Sequence, residues 1–248
     1  MTYALFLSGR YHLRILINQR KFRFTSHMLV SELNPSNHQI RTVYWFAIIC
    51  ALYIAFALVG NYVLISDEMY FDLFGEQLAY ERIVEMVESG KKWRWLGYVL
   101  LPVFIFIKCF LVVCCLSVGV LLANIATSIK DLFRIVIIAE IVFIIPSLIK
   151  IIWFGIFFTG YTLQDLQYFS PFSLLNLIDR EKVDVWYVYP LQLVNGFELI
   201  YWTALTYGMM NVTQSSFLKM FRLVALSYGV GLLLWAVCVV FLTVSISA

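Results

Sequence analysis

The chain has 248 residues, of which 62% are apolar and 13% are charged, and its mean hydropathy is +0.86. A typical soluble domain is about 45–50% apolar and about 25% charged, so this chain has too few polar side chains to cover a surface that faces water. The composition excludes an ordinary soluble enzyme and a disordered segment, and it indicates a polytopic membrane protein. The formal net charge of +3 is too small to indicate binding to nucleic acid.

Five apolar stretches are long enough to cross a membrane, since a hydrocarbon core of about 30 Å needs about 20 residues in a helix. Lipid cannot satisfy free backbone N–H and C=O groups, and the stretches lack the alternation of a β-barrel, so each is predicted to be an α-helix. We therefore expect an all-α, polytopic membrane bundle of five transmembrane helices. The predicted spans are about 43–66, 97–123, 135–158, 188–210 and 223–246.

The basic residues predict the orientation of these spans, because cytoplasmic loops are enriched in Lys and Arg. With five crossings, the two ends of the chain lie on opposite sides of the membrane. The side of the N-terminus is the more basic, so we predict a cytoplasmic N-terminus and an exterior or lumenal C-terminus. The N-terminal side has Arg10, Arg14, Arg20, Lys21, Arg23, Arg41, Lys130, Arg134, Lys219 and Arg222, and the other side has Arg82, Lys91, Lys92, Arg94, Arg180 and Lys182.

The polar segments divide the chain into a cytoplasmic, basic N-terminal segment, 1–42, and a transmembrane domain, 43–248, with outer loops at 67–95 and 159–187. Segment 1–42 is too long to be the charged start of a cleavable signal peptide, and it suits either a basic helix on the membrane surface or a small hairpin. Residues 67–90 place apolar side chains on one helical face. They are predicted to form an amphipathic helix on the outer interface, capped by Gly90, or a solvated loop helix.

Four ionisable residues lie well inside the predicted spans, namely Lys108, Glu140, Lys150 and Glu198. A charge at the centre of a bilayer costs about 2.5–3.5 kcal/mol on insertion scales, so such residues normally face the interior of a bundle and pair, or line a wet cavity. At about 1.5 Å rise per residue, Lys108, Lys150 and Glu198 lie at similar depths. We predict that Glu198 pairs with Lys108, Lys150 or both, in a structural or a transport role, while Glu140 bonds separately or reaches toward water.

The fourth predicted span also contains a polar stripe. Asn195, Glu198, Trp202 and Thr206 follow an i, i+3, i+7, i+11 course, which lines one face of a helix. This face should contact protein or water rather than lipid.

Two features of the other spans predict local geometry. Pro146 has no backbone N–H and clashes with the carbonyl of Val142, so a kink is expected in the third span. Small residues four positions apart, such as Ala204 and Gly208, allow close approach of neighbouring helices.

The searches for catalytic and metal-binding patterns give no match. The motifs HExxH, GxSxG, GxxxxGK[ST] and GxGxxG are absent, and no His lies in a predicted span to act as a general base. The five Cys lie in apolar stretches with no CxxC and no nearby His, which supports neither a disulfide framework nor a zinc site. We expect no enzymatic activity, no cofactor and no metal.

Two segments in the second half of the chain resemble bacterial members of the Yip family of membrane proteins. They are residues 169–177, FSPFSLLNL, and residues 193–202, LVNGFELIYW. The resemblance covers roughly residues 100–245, and it implies five spans, a cytoplasmic N-terminus and a role as a membrane scaffold or accessory subunit. The eukaryotic branch binds small GTPases partly through an Asp-Leu-Tyr-Gly-Pro motif. Residues 72–76, DLFGE, match this motif only in part and are predicted on the outer side, away from any cytoplasmic GTPase.

The sequence thus predicts a non-enzymatic integral membrane protein that acts as a scaffold, assembly or accessory subunit. Its expected partners are the lipid bilayer and either another membrane protein or a second copy of the chain. The alternative is a small-solute or ion transporter subunit that uses the buried Lys/Glu cluster. A wet cavity that traverses the membrane and reaches Glu198 would favour transport, whereas a dry, closed bundle with an exposed apolar flank would favour a partner protein.

Overall fold

The computed structural model describes residues 35–178 and 183–247. The chain divides into two units, residues 1–44 and residues 45–248. Of the first unit the structure describes residues 35–44, which are helical, so the predicted surface helix or hairpin lies outside the described residues.

In the described part of the chain, regular structure is helical apart from one isolated antiparallel β-bridge between Ser173 and Asn195. Three of the long helical stretches contain short 3₁₀ or π segments or an internal proline, which alter the hydrogen bonding locally. The helices are α1 (Pro35–Val63), α2 (Glu68–Phe74), α3 (Tyr80–Leu122), α4 (Ile129–Ala139), a 3₁₀ turn (Glu140–Phe143), α5 (Ile144–Ile152), a π segment (Trp153–Phe157), α6 (Leu163–Tyr168), a 3₁₀ turn (Leu174–Leu177), α7 (Val185–Leu193), α8 (Gly196–Thr213), α9 (Phe217–Val224), a π segment (Ala225–Gly229) and α10 (Val230–Ser247).

The protein is an integral membrane protein, and the secondary-structure elements of its described part are helices. Four stretches among the described residues are long and apolar enough to cross a membrane: Arg41–Val63, Tyr80–Leu122, Ile129–Phe157 and Phe217–Ile246. The count of five is not confirmed, because the predicted fourth span, 188–210, is divided between α7 and α8. Helix α7 has 9 residues, which is about 13 Å and too short to cross alone.

The second span begins earlier than predicted. Helix α3 runs without interruption from Tyr80 to Leu122, so the expected helix end at Gly90 is wrong. Gly90 lies in the interior of the helix because the residues that follow it, Lys91 to Leu96, are tolerated in a helix and none of them is a proline. Much of the predicted outer loop 67–95 is therefore helical, as α2 and the first turns of α3.

Helix α8 lies at the centre of the core of residues 45–248. Its side chains Tyr201, Leu205 and Met209 are completely buried, and the helix packs against α4, the following 3₁₀ turn and α9. Gly208 allows α8 to approach α4 closely, because a Cβ at this position would overlap the side chain of Ile135. The close approach predicted from small residues is confirmed here.

The third span shows the disturbance that Pro146 predicts. Between α4 and α5 the helix tightens into the 3₁₀ turn Glu140–Phe143, which contains Val142, the residue whose carbonyl Pro146 cannot bond. As a result Glu140 is the first residue of an irregular turn rather than part of a regular helix.

Candidate functional site

The central ion pair of the bundle joins Lys108 and Glu140. Lys108 Nζ on α3 donates to Glu140 Oε2 at 2.8 Å, and Nζ lies 3.8 Å from the ring centroid of Phe143. The hydroxyl of Tyr201 donates to the other carboxylate oxygen of Glu140 at 3.1 Å. The Glu140 side chain is 1% exposed and the Lys108 side chain 43% exposed, so the acid is inside the protein while the amine reaches open space.

This pairing corrects the sequence prediction. We expected Glu198 to pair with Lys108, and Glu140 to bond separately or to reach toward water. The structure instead pairs Lys108 with Glu140. Depth along each helix was a poor guide, because the side chain of Lys108 is long enough to reach a partner at another level, and the 3₁₀ turn sets the direction of Glu140.

Lys150 belongs to a different place. Its ammonium donates to the backbone carbonyl of Leu166, in α6, at 2.7 Å, and it lines a second cavity of about 310 Å³ together with Asn61 and Ser147. The predicted pairing of Lys150 with Glu198 is therefore wrong. Helix α6 lies in the loop that follows the third span, so the hydrogen bond from Lys150 connects this loop to α5.

Glu198 lies in the first turn of α8 and is 6% exposed. Its Oε1 accepts two hydrogen bonds, from the hydroxyl of Tyr228 at 2.7 Å and from Nε1 of Trp202 at 3.0 Å. Its backbone N–H donates to Oδ1 of Asn195 at 2.8 Å, so Asn195 is the N-cap of the helix. The other carboxylate oxygen, Oε2, accepts no hydrogen bond from the described residues.

The break between α7 and α8 has its own backbone partners. Asn195 is extended there, and the N–H of Leu174 donates to the carbonyl of Val194 at 3.0 Å. The N–H of Gly196 donates to the carbonyl of Phe172 at 3.1 Å. The loop at 172–174 thus supplies the hydrogen bonds that a helix would otherwise make, which is the condition for irregular backbone at membrane depth.

A cavity of about 740 Å³ reaches this break. Its walls are mostly apolar and aromatic and come from α3, α7 and α10, with Lys108, Gln192, Asn195, Glu198 and Tyr228 as polar or partly polar members. Among the wall residues, Phe104, Ile107 and Leu234 are exposed, so the cavity is open rather than enclosed. The complete lining is Phe104, Ile107, Lys108, Leu111, Val112, Cys115, Phe143, Tyr189, Gln192, Leu193, Asn195, Glu198, Tyr228, Gly231, Leu232, Leu234, Trp235 and Cys238.

The predicted polar stripe is assembled in part. Asn195 and Trp202 both bond to Glu198, as their spacing on one helical face predicted. Thr206 does not join them, since it is completely buried and donates to the carbonyl of Trp202 on its own helix at 2.7 Å. This choice is common for threonine in a helix, because the hydroxyl can reach the carbonyl one turn earlier.

Sequence reasoning missed the two tyrosines that bond the acids, Tyr201 on Glu140 and Tyr228 on Glu198. Both lie in mostly apolar segments, and neither differs in pattern from a tyrosine that only packs. The available signal was the presence of two acids inside the predicted spans, because a carboxylate inside a bundle needs hydrogen-bond donors.

The arrangement offers binding chemistry. In the described part of the chain no group of three His, Cys, Asp or Glu is placed to hold a metal ion. The polar groups at the cavity are one ammonium, one carboxylate and several amide and hydroxyl groups, against a large apolar wall. No protein-family model, curated protein or solved structure matches the chain. The function of this protein is therefore inferred from the chemistry of the site.

Proposed function

We propose that this protein is a non-enzymatic transport subunit that binds a small amphiphilic solute between its helices. The observation that supports this most is the cavity of about 740 Å³ that reaches Glu198 and Lys108 at the break between α7 and α8. Small-molecule sites are typically concave, about 300–1,000 Å³ in volume, and mostly apolar with a few polar groups. This cavity fits each part of that description.

The helix break favours a transporter over an inert bundle. Transporters place substrates near discontinuous helices, where the free ends of helices and irregular backbone meet the ligand. Here the N-terminus of α8, with Asn195 and Glu198, faces the cavity. The mostly apolar wall favours an amphiphile over a hydrated ion, because an ion would have to give up water without enough oxygen ligands in return.

A cavity-filling variant tests this proposal. Ile107 lines the cavity, whereas Phe110, one helical turn away on α3, is exposed and does not line it. With octanol bearing a photoactivatable diazirine, in proteoliposomes, we expect labelling of α7 and α10 to fall severalfold in Ile107→Trp and to be unchanged in Phe110→Trp. Equal labelling in both variants would mean that the probe only reaches the lipid-facing surface, and the proposal would fail.

A second candidate function is the scaffold or assembly subunit that the sequence favours. The observation behind it concerns the stretch Phe217–Ile246. None of the residues in its most apolar 18-residue segment is buried by the described part of the protein. A partner protein or a second copy packed on this flank would cover it as lipid does. Native mass spectrometry from lipid nanodiscs separates the candidates, because a scaffold is expected to leave the membrane with a stoichiometric partner or as an oligomer.

We also propose five crossings with a cytoplasmic N-terminus, in a bacterial inner membrane. Helix α8 has 18 residues, and its polar side chains Asn195 and Glu198 are bonded within the protein. Polar residues that face protein do not prevent a helix from lying at membrane depth. Accessibility tags at the two ends of the chain are expected on opposite sides, and tags on the same side would favour four crossings.

Membership of the Yip family stays a prediction. The two segments that resemble the family, 169–177 and 193–202, contact each other at the break through the hydrogen bonds of Phe172 and Leu174. Their contact supports treating them as one structural unit around the proposed site.

A further inference from the structure

We infer that the solute is an organic cation, an ammonium group attached to an apolar body, and that Glu198 is its counter-charge. This inference rests on the proposed binding function and adds the chemical class of the ligand. It comes from the balance of charges around the cavity and from Oε2 of Glu198, which accepts no hydrogen bond from the described residues.

The charges at this cavity do not cancel, since Lys150 lines the other cavity. Lys108 and Glu140 form an ion pair at 2.8 Å and neutralise each other. Glu198 forms no salt bridge among the described residues, since the two hydrogen bonds that its carboxylate accepts come from the neutral groups of Tyr228 and Trp202. As a carboxylate it leaves one negative charge in excess at the cavity.

The geometry of Glu198 directs this charge towards a ligand. Both side-chain donors bond Oε1, so Oε2 has no donor from the described residues, although the residue is only 6% exposed and lines the cavity. Oε2 keeps accessible surface, unlike the buried and unbonded hydroxyl oxygen of Thr127, so a ligand in the cavity can reach it. An ammonium N–H donated to Oε2 would complete the site.

The walls suit the rest of such a molecule. Aromatic side chains Phe104, Phe143, Tyr189 and Trp235 line the cavity, and aromatic faces attract ammonium groups. The Lys108 ammonium already lies over the ring of Phe143. The remaining wall is aliphatic and can hold a hydrocarbon tail. An inorganic cation such as Ca²⁺ would find too few oxygen ligands here, because it requires about six to eight.

Three probes with the same tail and different heads test the inference: octylammonium, octanol and octanoate. Binding is measured by calorimetric titration of the full chain in nanodiscs of phosphatidylcholine, with the heat of empty nanodiscs subtracted. We expect octylammonium to bind about 10- to 100-fold more tightly than octanol, the range expected for one charge-assisted hydrogen bond, and octanoate to bind no better than octanol.

Two variants locate the charge. Glu198→Gln keeps an acceptor for Tyr228 and Trp202 and is expected to abolish the preference for octylammonium over octanol. Glu85→Gln, which removes an exposed acid from the same chain, is expected to leave this preference unchanged. The comparison of probes in the unmodified chain needs no variant, so a folding defect in Glu198→Gln does not prevent the test.

The outcomes separate the two proposals. Octylammonium preference that depends on Glu198 supports both. Binding of octanol or octanoate as tight as that of octylammonium, or a preference that persists in Glu198→Gln, overturns the cationic ligand and leaves the binding function in place. Failure of all three probes to bind overturns the proposed function as well.

Discussion

Lys108→Met is expected to destabilise the fold more than Glu140→Gln, although the two substitutions break the same ion pair. The Glu140 side chain is 1% exposed and the Lys108 side chain 43% exposed. Without Lys108, the carboxylate of Glu140 keeps, among the described residues, only the hydroxyl of Tyr201, and it is buried and does not line the cavity. Without the charge on Glu140, the ammonium of Lys108 can still turn into the cavity that it lines.

The exposed fractions of the two side chains determine how much free energy of unfolding each variant is expected to lose. Removing one partner of a buried pair and leaving the other charge buried costs about 3–5 kcal/mol, which is the expectation for Lys108→Met. Glutamine at position 140 still accepts a hydrogen bond from Tyr201, so Glu140→Gln loses mainly a charge-assisted bond, about 1.5–3 kcal/mol. We therefore expect the free energy of unfolding to differ between the two variants by about 2 kcal/mol.

Unfolding in mixed micelles, titrated with a denaturing detergent and followed by tryptophan fluorescence, measures these free energies. The double variant Lys108→Met/Glu140→Gln removes both charges of the pair and is expected to be more stable than Lys108→Met alone. Arg82→Met, which breaks the exposed pair with Glu85, is the control and is expected to cost at most about 1 kcal/mol. Equal losses for the two single variants, or strictly additive losses in the double variant, would refute the reasoning.

Three further predictions use the same unfolding measurement. Asn195→Ala removes the N-cap of α8 and is expected to cost about 1–2 kcal/mol, while Asn195→Asp keeps the accepting oxygen and costs less; equal costs would contradict the cap. Gly208→Ala places a Cβ against the side chain of Ile135 and is expected to lower the free energy of unfolding by about 1–3 kcal/mol. Adding Ile135→Ala is expected to recover part of this loss, and no recovery would contradict the contact between the two helices. The hydroxyl of Tyr161 donates to the carbonyl of Leu64, and burial raises the pKa of this hydroxyl. Below a pH of about 10, Tyr161 is neutral in both the folded and the unfolded chain. Above that pH, it ionises first in the unfolded chain. Stability is therefore expected to fall as pH rises above about 10, and to fall less steeply in Tyr161→Phe; identical slopes would show that Tyr161 is not buried.

The corrected pairing of the charges shows what the tertiary structure adds. Lys108, Glu140 and Glu198 could be selected from the sequence because a charge in an apolar stretch is costly wherever it lies. Their partners could not be selected, because depth along separate helices does not say which faces meet. The partner of each acid depends on how α3, α4 and α8 are rotated and on the irregular turn that begins at Glu140.

The sequence alone determined that the chain is helical and lies in a membrane. Apolar stretches of sufficient length need lipid around them, and lipid requires backbone hydrogen bonds within each stretch, so both properties follow from local composition. Only the tertiary structure decided that the stretch 188–210 breaks at Asn195, because the hydrogen bonds that permit the break come from Phe172 and Leu174 in a preceding loop. The cavity at this break is formed by helices distant in sequence, so no local pattern could reveal it.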